Sequence, residues 1–163
     1  MTEIDMEKAA LCEFLECQRA SVRAILADLD ETALRTSVLP SGWSPLGLVE
    51  HLGHAERHWF QEVFRGAVEP LPWPDENTPL RTTRSPAEVF AFYRDQCEIS
   101  DSIIAAAPLT AAPAGRHPDE TLASQTTDLR RIVLHVIEET ARHAGHLDVV
   151  RELIDGRTGL GPR

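Results

Sequence analysis

Apolar residues recur along the chain at three- and four-residue steps. Leu11, Leu15, Val22, Leu26 and Leu29 keep that rhythm and predict an amphipathic helix from about Ile4 to Leu29. A second pattern, "LGLVEHLGHAERHWFQEVFRG", follows Ser44 and Pro45. Serine caps free N–H groups and proline suits a first turn, so the helix is expected from Ser44-Pro45 to about Arg65, with Gly66 as its stop. Ser85, Pro86 and Glu88 combine a cap, a first-turn proline and a capping box, and predict a third helix ending near Ala107. The last helix is expected from Thr127 or Asp128 to about Asp155, with Gly156 just beyond.

Between the second and third helices, Ala67 to Arg84 holds Pro70, Pro72, Pro74 and Pro79 and cannot be a continuous helix. It is long for a bundle connection and reads as a crossover. The pattern as a whole predicts an all-α fold, a four-helix bundle with a long crossover between the second and third helices, as one domain over 1–163.

The last helix breaks its own pattern. Leu129, Val133, Val136, Thr140, His143, Leu147, Val150 and Ile154 follow alternating steps of four and three, which marks a core seam. Ile132, Glu139, His146 and Leu153 form a flanking stripe at seven-residue steps. Glu139, His143 and His146 therefore cluster at one level of a face that is otherwise apolar. An unpaired buried carboxylate costs several kcal/mol, so something must compensate. Glu139 and His143, at i and i+4, stand about 40° apart and roughly 6 Å along the axis, close enough to reach one ion. A buried Glu–His pair satisfies the same spacing.

The second helix offers His51, His54 and His58. His51 borders the apolar stripe Leu48, Leu52, Ala55 and Trp59, and is the inward histidine by this count. His54 shares a polar stripe with Glu50, Arg57 and Gln61, which His58 borders, so those two are expected in solvent or at a pocket rim. Two histidines and one carboxylate leave coordination positions open for water or substrate. His135 and His146 are placed to support such ligands from behind. No general base stands out; His54, His58 and His146 are the candidates.

Composition narrows the partners. The chain has 163 residues, 42% hydrophobic and only 6% aromatic, with a net charge of −10 and a pI near 5.1. Such acidity disfavours nucleic acid. No apolar run reaches the roughly 18 residues of a membrane span, and the acidic start "MTEIDMEKAALCEF" is unlike a signal peptide, so a cytoplasmic protein is expected. Cys12, Cys17 and Cys97 are odd in number and lack a paired spacing, which predicts free thiols.

"LVEHLGHAERHWF" followed some ninety residues later by "VIEETARHAGHLDVVRELIDG" resembles the DinB-like superfamily, metal-binding four-helix bundles that include the mycothiol-dependent maleylpyruvate isomerases and related thiol transferases. The resemblance covers the layout of the whole chain. It implies metal ligation by His51, Glu139 and His143, the residues that the register selects. The ion it implies is Zn²⁺, with Ni²⁺ or Fe²⁺ as alternatives. Unlike the isomerases, the chain is expected to have no second domain after the bundle, a departure that puts the maleylpyruvate reaction itself in question. The implied activity is transfer of a low-molecular-weight thiol such as mycothiol to an electrophilic small molecule. A metal-dependent hydrolase and a non-catalytic metal-stabilised stress or binding protein are the alternatives. Arg81 and Arg84 are candidates for holding an anionic substrate. A homodimer is the expected assembly.

Overall fold

The computed structural model describes residues 3–67 and 80–160. The described residues are all-helical, without strands. In chain order the helices are α1 (Glu3–Leu26), α2 (Glu31–Arg35), α3 (Pro45–Arg57), α4 (Pro86–Ala106), α5 (Glu120–Gln125) and α6 (Leu129–Asp155). α3 continues without a break into a π-helical stretch, His58–Phe64. The prolines at 70, 72, 74 and 79, and most of the expected crossover, lie outside the described residues.

The helix ends follow their local chemistry. The Ser44 side chain accepts from the Gly47 N–H at the start of α3. Ser85 and Glu88 form both halves of the capping box on α4. Asp128 caps α6 at Arg131, and Gly156, at φ 77°, closes that helix in the left-handed region that glycine adopts without strain. α1 ends three residues earlier than the apolar rhythm suggests. The chain turns at Ala27 and Asp28, and Leu29 packs against the core from beyond the helix.

α1 packs along α6, and α3 along α4; α3 also touches α6. The apolar interior falls into two clusters. One holds Val22, Leu48, Leu52, Val89, Tyr93 and Leu147, and the other Leu15, Trp59, Phe60, Ile103, Val133 and Val136. On α1, α4 and α6 a polar group separates the two, and on α3 one lies at their boundary. Arg19 lies between Leu15 and Val22, Ser100 between Cys97 and Ile103, and Thr140 between Val136 and Ala144, all three buried. On α3 the buried group is Glu56, one turn beyond Leu52. Glu139 and His143 fall in the same gap on α6.

A candidate metal centre beside a histidine-lined cavity

His51 projects from the second turn of α3, and Glu139 and His143 from the middle of α6. Glu139 Oε1 lies 3.0 Å from His143 Nε2 and 3.2 Å from His51 Nε2. The two imidazoles meet edge to face, with ring centroids 5.0 Å apart. One ligand atom from each of the three residues falls within 4.8 Å of the others. All three side chains are 15–20% exposed, neither sealed in nor free in water. Hydrogen bonds from His143 and then His51 hold the Glu139 carboxyl well below the usual carboxylate range, against the effect of burial. The donor set, two imidazole nitrogens and an ionised carboxylate converging on one point, fits a divalent ion of zinc type.

Behind the triad, His146 Nδ1 lies 3.3 Å from His143 Nδ1. In this structure His143 donates from Nε2 to Glu139; with an ion bound instead, a hydrogen on Nδ1 shared with His146 would leave the Nε2 lone pair for it, the supporting arrangement expected of metal-binding histidines. His146 itself is exposed and tilts against Trp43. The flanking stripe it belongs to leaves the core at this end of α6, because Leu153 is exposed and the buried side is carried by Ala144, Leu147 and Arg151.

A cavity of about 610 Å³ opens beside His51 and Glu139. Its wall includes His58, Trp59, His117 and His135, with Arg142 from α6. The Trp59 indole stacks on His117, with centroids 4.9 Å apart at 12°, and packs against His135 at 4.4 Å. His135 thus serves the cavity wall rather than backing Glu139. Burial lowers the pKa values of His117 and His135 and favours their neutral form.

Several expectations change. His58 is not a rim residue: it is buried, and its Nδ1 lies 2.7 Å from Glu62 Oε2. Its spacing carried the signal, because His58 is seven residues beyond His51 and falls on the same face two turns later. His54 is half-buried against Phe92, at 4.9 Å, rather than solvated. Arg81 and Arg84 do not line the cavity. Arg81 donates to the Gly42 carbonyl, and Arg84 bonds Glu50 and lies over the Phe92 ring. The cation at the cavity is Arg142, which pairs with Glu138. His117 drew no attention in the sequence because it lies in a loop, where periodicity says nothing. The three cysteines are free, as expected.

Helices that deliver two histidines and a glutamate to one point, with the HxxHxxxH run on one and ExxxH on the other, define a DinB-like protein. A family model described as MST, mycothiol-S-transferase, matches residues 10–156, and the chain belongs to that DinB-like family. Neither the curated proteins nor the solved structures contain a significant match.

Proposed function

We propose that this protein is a metal-dependent thiol S-transferase that joins mycothiol, or a similar low-molecular-weight thiol, to an electrophilic small molecule. The observation that carries the reading is the convergence of His51 Nε2, Glu139 Oε1 and His143 Nε2 beside a cavity large enough for a small organic substrate. His51, Glu139 and His143 would hold the ion, with zinc the best match to the donor set. When bound, such an ion lowers the pKa of a coordinated thiol and so supplies a nucleophile at neutral pH. Glu139 would offset one unit of the ion's charge, and His146, 3.3 Å from His143 Nδ1, would accept the hydrogen that His143 carries there once Nε2 binds the ion. Trp59 and the neighbouring imidazoles form an apolar, stackable wall for the electrophile, and Arg142 stands by for an anionic group on either substrate.

The same reading takes residues 1–163 as one four-helix-bundle domain. It takes the protein as cytoplasmic. Among the described residues no helix is long and apolar enough to cross a membrane. It also takes the protein as a homodimer, for which exposed Phe14 on α1 and Leu134 on α6 are candidate contacts.

Elemental analysis should find about one divalent ion per chain. His143→Ala and His51→Ala should each lose it, whereas His54→Ala should keep it, since His54 packs on Phe92 and is not one of the three converging ligands. A cobalt-substituted form should change its visible spectrum when mycothiol is added. A cobalt form unresponsive to any thiol would leave a structural metal protein instead.

A further inference from the structure

We propose that the body of the thiol lies in a trough between α5 and α6, and that this trough takes a neutral, polyhydroxylated body, with Arg131 donating to its hydroxyls and Glu138 accepting from them. The proposal rests on the thiol-transferase reading and adds to it a binding subsite that neither the metal triad nor the family match assigns.

The first observation is a second hollow that opens off the first. A trough of about 380 Å³ runs along the first turns of α6, and Gln125, Arg131, His135 and Glu138 line it. Gln125, His135 and Glu138 also line the cavity of about 610 Å³ beside His51 and Glu139, so the two hollows meet at these side chains. His135 stands one turn before Glu139 and Arg131 a further turn back, which puts Arg131 roughly 12 Å from Glu139 along the helix axis. A cysteinyl group with its sulfur at the triad does not reach that far. A thiol that carries two linked rings does.

The second observation is a difference in lining. The cavity beside the triad is walled mostly by apolar atoms, including those of Ala55, Trp59, Pro118 and Leu122, which suits an electrophile of low polarity. The trough is walled mostly by polar atoms. Arg131 is exposed, and its guanidinium donates to the Gln125 carbonyl at 3.4 Å, which sets it against the end of α5. One carbonyl does not use up five N–H donors, so donors remain for a ligand. Glu138 accepts from Arg142 through Oε1 at 2.7 Å, which leaves Oε2 to accept from a hydroxyl. The Gln125 side-chain amide can do both.

Charge decides which kind of body fits. The ionised side chains that line the trough, among the described residues, are one cation, Arg131, and one anion, Glu138, so they offer no surplus charge to an anionic body. Neighbouring hydroxyls of a sugar or cyclitol ring each donate and accept, and so match a guanidinium and a carboxylate together. A thiol with two carboxylates, such as glutathione, could set one on Arg131 but would bring the other towards Glu138. The net charge of −10 on the chain opposes it further.

The test uses the full chain with cobalt in place of zinc and follows the visible spectrum as thiol is added. Mycothiol, an acetylated cysteine on an aminosugar joined to inositol, should bind at least about tenfold more tightly than glutathione or N-acetylcysteinamide, which has the same arm without the rings. Arg131→Met and Glu138→Gln should each weaken mycothiol by about tenfold, the scale of a hydrogen bond to a charged group. N-acetylcysteinamide should lose nothing, because it is too short to reach the trough, and metal content should be unchanged. With chlorodinitrobenzene as the electrophile, the loss should fall on the mycothiol KM and leave kcat in place. As a readout that needs no sulfur, glucosaminyl-inositol should shift the backbone amide signals of Gln125, Arg131 and Glu138 in the zinc form, and should fail to do so in Arg131→Met. Glutathione binding as tightly as mycothiol would overturn the proposal. So would folded, metal-loaded variants that bind mycothiol like the wild type, or that lose both thiols alike. A cobalt protein that answers to mycothiol but is indifferent to both substitutions keeps the transferase reading and removes the subsite. A cobalt protein that ignores every thiol removes both.

Discussion

Glu139 shows how one side chain can be legible in sequence and still need a structure to interpret. Its seven-residue stripe on α6 marked it as an ionisable group at core height, and in the structure two imidazoles are bonded to it. His58 shows the opposite case. Its heptad spacing from His51 was available, but its polar neighbours along the helix argued for solvent, and the structure instead buries it against Glu62. The histidines also set an acid limit on stability in the metal-free protein. Burial lowers the pKa values of His54, His117 and His135, so the unfolded chain takes up protons first as pH falls through their ordinary value of about 6.5. Their contribution is fully present above that pH and is lost below it. The depressed pKa of Glu139 acts in the same direction at lower pH. That stabilisation is present above the ordinary carboxyl pKa of about 4.3 and is lost as pH falls further. Urea midpoints should therefore decline between about pH 7 and 5.5 and again below about pH 4.5. His54→Gln should flatten the first decline. A midpoint constant from pH 7 to 5.5 would show that burial of these rings carries no proton linkage.

At the scale of the element, the long helices were readable because their ends carry chemistry as well as rhythm. Ser44-Pro45, the Ser85–Glu88 box, Asp128 and Gly156 each satisfy backbone groups that the helix leaves open. α2 and α5 were not read. Asp30 and Asp119 do cap them, but five or six residues are too few to establish a period. The π stretch was invisible for a different reason: its residues are ordinary helix formers, and the wider winding is decided by packing. Glycines inside helices separate propensity from packing in a testable way. A Cβ on Gly47 in α3 would stand 2.2 Å from the Leu80 carbonyl oxygen, the acceptor of the Ser44 N–H. Backbone cannot step aside as a side-chain tip can. Gly47→Ala should therefore destabilise by about 1–3 kcal/mol despite the better helix propensity of alanine. Gly145 on α6 meets nothing within 4 Å, so Gly145→Ala should be neutral or stabilising by up to about 1 kcal/mol. Thermal melts of the two variants should move in opposite directions; a shared direction would mean that propensity alone governs both sites.

Across the whole molecule, a polar band runs between the two apolar clusters, and the candidate metal centre is one part of it. Another part is buried more deeply. Arg19 of α1 donates from Nε and one terminal nitrogen to Glu56 of α3, at 2.7 and 2.9 Å, and from the other to Asp101 of α4 at 2.7 Å. Arg19 and Glu56 are 1% and 2% exposed, while Asp101 remains in water. Burial pulls the guanidinium pKa down, but the charge and hydrogen bonds of Glu56 outweigh it, so Arg19 stays protonated. Together with Asp101 the pair ties α1 to α3 and α4, between one and two turns from where α3 presents His51 to α6. Desolvating both ions cancels most of what their attraction contributes, so the pair itself adds little stability. Removing one partner is another matter, because the remaining charge is stranded in the interior. Arg19→Met should cost about 3–5 kcal/mol, whereas Arg19→Met combined with Glu56→Met should recover most of that loss. Losses that simply add in the double variant would show that the two side chains act independently and that the band is not a unit. If the pair sets register, the double variant should also bind metal more weakly than the wild type while remaining folded, because the helices could then settle without bringing His51 to Glu139. Metal affinity unchanged in a stable double variant would confine the role of the pair to its own corner of the bundle.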